Sequence, residues 1–274
     1  MPLRSLKDLE HYVVSATDGD VGRVGDFLLD DEIWAVRYLV VTTGGFLSRH
    51  DVLVTPRAFE EVQWATERFV LNLSKGMVEE SPSVDTHKPV SRQREEELHN
   101  YYGYPRYWDY AEVWGVGTSP ALMAAEAPID LPRPNMSEAG SDSHLRSAKE
   151  VRGYNIQASD DSIGHVDDFI VADDIWEIRY LVVDTSNWWL GKKVLIAPEW
   201  ASRISWEEQN VYVDMTRAAI QASPQWDPSV MVNREYETRL YDHYRRPAYW
   251  GEGAVGRARE RRSSTDSLEP PETR

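Results

Sequence analysis

The run Ile33-Trp34-Ala35-Val36-Arg37-Tyr38-Leu39-Val40-Val41 returns almost unchanged as Ile175-Trp176-Glu177-Ile178-Arg179-Tyr180-Leu181-Val182-Val183. β-branched and aromatic residues in such a row, flanked by acidic and Gly or Asn turn signals, read as a long strand. Its return means that one small β unit is built twice.

The two runs lie 142 residues apart, and the same offset carries 3–108 onto 145–250 without a gap. About a third of the paired positions are identical. The organisation expected is a first repeat over 3–108, a linker over 109–144, a second repeat over 145–250 and a tail over 251–274. The linker is rich in Pro, Ala, Gly and Ser, and Pro120, Pro128, Pro132 and Pro134 disfavour long helices there. The tail from 257 onward has almost no large apolar residue and reads as disordered.

Within the first repeat, periodicity predicts strands over 10–14, 21–29, 33–42, 51–55, 62–65 and 69–73. In the sixth, Phe69, Leu71 and Leu73 face one way while Val70 and Asn72 face the other, which suits an antiparallel sheet with one wet face. Six short strands are too few for two full sheets. The fold class expected is therefore mainly β, as two small six-stranded antiparallel barrels, closed or nearly so, each followed by short helices. Ser74, Thr216, Ser91 and Asn233 stand where helix N-caps belong. A hairpin turning at Asp31-Glu32 sets Asp26 opposite Arg37, and the same register sets Asp168 opposite Arg179. These are read as structural ion pairs rather than as an anion or proton site.

Composition narrows the function. The formal charge of −16 disfavours a nucleic-acid partner, because phosphate neutralisation dominates that affinity. There are no cysteines, hence no disulfides or thiolate nucleophiles, in keeping with a reducing compartment. No stretch has the length and apolarity of a membrane span, and Met1-Pro2-Leu3-Arg4-Ser5 lacks the apolar run of a secretion signal, so a cytoplasmic location is expected. None of the seven histidines recurs at its paired position, and none has metal-ligand spacing. Asp30-Asp31-Glu32 and Asp173-Asp174 read as hairpin turns rather than Ca²⁺ loops, and Gly44-Gly45 is too short to cradle a phosphate. No metal, no cofactor and no catalytic residue are expected.

The block Asp18-x-x-Val21-Gly22-x-Val24-x-Asp26-Phe27-Leu28, followed by Val36-Arg37-Tyr38-Leu39-Val40-Val41 and Val52-Leu53-Val54-x-Pro56, resembles the PRC-barrel family. So does Ile163-Gly164-x-Val166-x-Asp168-Phe169-Ile170 with Arg179-Tyr180-Leu181-Val182-Val183 and Val194-Leu195-Ile196-x-Pro198. That family includes the cytoplasmic domain of the photosynthetic reaction centre H subunit and the C-terminal domain of the ribosome maturation factor RimM. The resemblance spans the strands of each repeat, roughly half the chain, and implies a protein-contact module without common catalytic residues. Nothing in the sequence reads as the H subunit's N-terminal membrane helix or the maturation factor's N-terminal domain, so neither specific role is expected to carry over.

The expected function is a non-enzymatic scaffold or adaptor for an unidentified protein partner or a second copy of the chain. The alternatives are a small-ligand sensor with a pocket between the repeats and, against the acidic charge, a ribosome-associated RNA-processing role. Candidate contact residues are the adjacent pair Trp188 and Trp189 and the repeated pairs Tyr107-Trp108 and Tyr249-Trp250. For the repeated pairs packing against a barrel is the favoured reading, with partner contact as the alternative.

Overall fold

Strands form where β-branched and aromatic residues cluster. A computed structural model describes residues 2–44, 49–84, 90–106, 144–185 and 191–250. Tyr107, Trp108, Trp188, Trp189, the tail and all of the linker but His144 lie outside the described residues. The first set of elements is β1 (Leu3–Ser5), α1 (Leu6–Leu9), β2 (Val13–Ala16), β3 (Gly19–Asp30), β4 (Ala35–Thr43), β5 (His50–Val54), β6 (Phe59–Gln63), β7 (Arg68–Leu71), α2 (Lys75–Glu79), β8 (Ser83–Val84) and α3 (Arg92–Tyr102). The second is β9 (Leu145–Ser147), α4 (Ala148–Val151), β10 (Asn155–Gln157), β11 (Ser162–Ala172), β12 (Glu177–Asp184), β13 (Lys193–Ile196), β14 (Ala201–Ser205), β15 (Asn210–Val213), α5 (Arg217–Ala222) and α6 (Arg234–Tyr244). Ser74, Ser91, Thr216 and Asn233 each accept a backbone amide at the start of a helix, as their positions predicted.

The fold is mainly β. Among the described residues fifteen strands join one sheet, whose longest path runs β14-β15-β10-β11-β12-β4-β3-β2-β7-β6. The repeated strand lies at its centre: β4 meets β12 antiparallel through Ala35 and Glu177. Every residue from Ala35 to Val41 is buried, which explains an apolar run without strict alternation. Two expectations need correction. The strand set is mixed, because β2 pairs parallel with β7 and β10 parallel with β15, and the sheet does not close on itself.

The halves also exchange strands. β1 pairs with β11, and β9 pairs with β3. A single apolar cluster runs through both halves, including Phe27, Tyr38 and Phe69 with Phe169, Tyr180 and Trp200. Gly22 is required where β3 runs against β4, since a Cβ there would lie 2.1 Å from the Thr42 carbonyl oxygen. Among the described residues, no helix is long and apolar enough to cross a membrane.

The expected Asp26–Arg37 and Asp168–Arg179 pairs do not form. Asp26 lies opposite Val40 and Asp168 opposite Val182. The turn takes four residues rather than two, ending in Trp34 with φ 56°, and bulges at Val24/Asp26 and Leu28/Leu29 shift the register further. Arg37 instead meets buried Asp30 at 2.9 Å, and Arg179 meets Glu177 at 2.7 Å. Asp30 also accepts the Glu32 and Ile33 amides at 3.1 and 3.2 Å, which sets the turn.

Candidate functional site

The seam between the halves gathers the buried acids. Asp26 accepts the Ser147 hydroxyl at 2.5 Å and the Lys149 amide at 3.1 Å, both from the other half, and the Phe27 amide at 2.7 Å. Asp168 accepts the Ser5 hydroxyl at 2.5 Å and the Lys7 amide at 3.1 Å. Each carboxylate thus takes up the open amide end of the one-turn helix entering from the opposite half. Burial raises both acids: Asp26 goes up from the ordinary carboxylate range, and Asp168 is pushed up to about 6, with hydrogen bonds opposing the rise. Glu10 is bonded to Arg152 of the other half, which adds a cross-seam ion pair.

Behind each central strand sits a second polar set. Tyr38 Oη lies 2.9 Å from both Glu95 Oε1 and His99 Nε2. His99 Nδ1 faces the Pro105 carbonyl at 3.0 Å, and a carbonyl only accepts, so Nδ1 carries the proton. Burial depresses the His99 imidazole to about 4. In the second half Tyr180 and Tyr249 donate to Glu237 at 2.7 and 2.8 Å. The Arg179 guanidinium lies 4.3 Å from the Tyr249 ring centre, and that of Arg234 lies 4.0 Å from that of Trp250. Tyr249 and Trp250 therefore pack on their own half, against α6 and the central strand.

Between the halves lies a cleft of about 400 Å³. The hairpin turn contributes Asp31 and Trp34, β9 and the residue before it contribute Arg146 and His144, and β14 with its flanks contributes Ala201, Arg203 and Trp206. Arg146 bonds Asp31 at 2.9 Å and rests over the Trp206 ring at 4.6 Å. His144 Nδ1 lies 3.1 Å from Asp31. Burial pushes the Asp31 carboxyl up, with Arg146 and His144 working against it. Sequence spacing did not reveal this cleft, because its walls come from segments far apart in the chain.

Folding also brings His165, Asp167 and Asp184 together, with ligand atoms within 4.8 Å of one another. Cross-strand register pairs His165 with Asp184, which sequence spacing does not show. Lys7 and Lys193 already hold Asp167 at 2.5 and 2.7 Å, so a cation there would have to displace two ammonium groups.

In comparison with known proteins, the chain matches no family model and no curated protein.

Proposed function

We propose that the chain is a non-enzymatic scaffold of two PRC-like halves, which hold protein partners in a larger assembly. The reciprocal capping at the seam carries this proposal. Asp26 and Asp168 are buried acids of the kind that serve proton transfer in enzymes, yet their oxygens are taken by hydrogen bonds from the opposite half. What they accomplish is to hold two similar bodies at a fixed spacing, and a contact module needs that. Val230 and Met231, 54% and 52% exposed, supply an apolar surface beside Trp226, Leu3 and Tyr12 at the seam.

Affinity purification of the tagged chain tests the proposal. It should retain a stoichiometric partner, which Val230→Asp with Met231→Asp should release without changing the thermal midpoint. Recovery of no partner under any growth condition contradicts the scaffold.

A second reading, a small-ligand sensor, is favoured by one observation. The cleft is lined from both halves and falls within the size range of ligand pockets, roughly 300–1,000 Å³.

A further inference from the structure

The halves place the same tryptophan at their junction in the same backbone conformation, with φ 56° at Trp34 and 58° at Trp176. Left-handed backbone is unusual for so bulky a residue. At both positions the carbonyl accepts an amide from the other half: Ile178 to Trp34 at 2.7 Å and Val36 to Trp176 at 2.8 Å. Backbone and cross-seam bonding are thus matched at the two sites.

What surrounds the two rings differs. Trp176 is only 4% exposed, edge-on to Phe59 with ring centres 5.2 Å apart and at 5.8 Å from Phe69. At the offset of 142 residues those partners become Ala201 and Val211. Trp34 is left half-buried on the wall of the 400 Å³ cleft, with Ala201 on the same lining. The missing aromatic has moved by one residue. Ala58 is matched by Trp200, which packs against Tyr241 and Tyr244 at 5.1 and 5.0 Å, within its own half. Trp200 closes the 3-10 turn before β14 and packs within its own half, while Ala201, which opens β14, brings no ring toward Trp34.

The charge at the mouth changes as well. Where β6 carries Glu60 and Glu61, β14 carries Ser202 and Arg203, and His144 replaces Pro2. This reversal stands out in a chain of net charge −16. Arg203 is exposed: it rests over the Tyr212 ring at 4.1 Å and pairs with exposed Glu208 at 3.3 Å, a solvent-screened contact with which an incoming anion can compete. Arg146, by contrast, is held by Asp31.

We propose that the cleft beside Trp34 binds a small aromatic carboxylate, its ring on Trp34 where Phe59 stands on Trp176, and its carboxylate toward Arg203. The proposal rests on the ligand-sensor reading and names its ligand class. It is independent of the scaffold.

The test is ¹⁹F NMR of 4-fluorophenylacetate titrated with the full chain, beside the neutral 4-fluorobenzyl alcohol. Saturable binding of the carboxylate at one site is expected, with the alcohol at least tenfold weaker. Ala201→Phe, which restores the ring found in the other half, should weaken the carboxylate at least tenfold. Arg203→Glu, a surface change that spares the fold, should bring the carboxylate down to the alcohol's affinity. Two results overturn the proposal and tell its parts apart. If the alcohol binds as tightly and Arg203→Glu changes nothing, the carboxylate assignment fails while a pocket for aromatics stands. If neither probe binds, or the folded Ala201→Phe chain binds both unchanged, this cleft is no aromatic site and the sensor reading falls with it.

Discussion

Ser147 donates its hydroxyl hydrogen to Asp26 across the seam at 2.5 Å, while the same oxygen accepts the Glu150 amide at 3.1 Å. Ser5 repeats the arrangement, donating to Asp168 and accepting from Asp8 at 3.1 Å. One hydroxyl thus caps its own helix and satisfies a buried acid in the other half.

Removing that hydroxyl costs more than a lost cap. A cap is worth about 1 kcal/mol, and a hydrogen bond to a charged group about 1.5–3 kcal/mol. Ser5→Ala and Ser147→Ala should each lower stability by about 2–3 kcal/mol in urea denaturation. A loss under half a kcal/mol for both would mean that the seam is not held this way.

Phe59→Ala should loosen the covered tryptophan. Deleting a buried phenyl costs about 3–5 kcal/mol, and Phe59 is only partly buried, so about 2–3 kcal/mol is expected. The Trp176 emission, taken as the difference between each chain and its Trp176→Phe counterpart because the sequence holds 11 tryptophans, should shift to the red in the same variant. An unchanged midpoint and spectrum would show that Phe59 does not cover this ring.

Asp168 makes the fold prefer its proton. Its carboxyl is pushed up from 3.8 to about 6, so the folded chain binds that proton more tightly than the unfolded one. This contribution to stability is fully present below about 3.8 and is lost as pH rises through about 6, by about 3 kcal/mol at most. Against Asp168→Asn, the wild type should lose stability over that window and run parallel above it. A carboxyl titration midpoint below 4 by NMR would remove the effect.

His99 works the other way. Burial lowers its imidazole from 6.5 to about 4, so the folded chain binds this proton less tightly than the unfolded one. Its contribution is present above about 6.5 and is lost as pH falls through about 4. His99→Gln should therefore flatten the acid side of the stability profile. An equal acid loss in that variant would place the sensitivity elsewhere.

Much of the strand pattern was legible. The apolar runs found the central strands, and Ser74, Ser91, Thr216 and Asn233 marked helix starts, because both signals are local. The hairpin register was not legible. It depends on Trp34 and Trp176 taking a left-handed turn, which β-branched neighbours conceal, and on bulges that leave no mark in a single sequence. The acid partners moved too: Asp30 is matched by Ala172, while Ala35 is matched by Glu177, so Arg37 and Arg179 each found an acid at a different place. The seam had a faint trace in the Ser-x-x-acid pattern of Ser5 to Asp8 and Ser147 to Glu150. That pattern announces a helix start, yet does not say that the strand before it crosses to the other half. The open face of Trp34 emerges only by comparison with Trp176, which Phe59 covers, and that contact crosses the seam.

The central claim is that exchanged caps and exchanged strands make the two halves one cooperative body. Differential scanning calorimetry of the full chain tests it most directly. One transition with equal calorimetric and van't Hoff enthalpies is expected, lowered as a whole by Ser5→Ala with Ser147→Ala. Two separable transitions in the wild type, each moved by substitutions in one half alone, would contradict it.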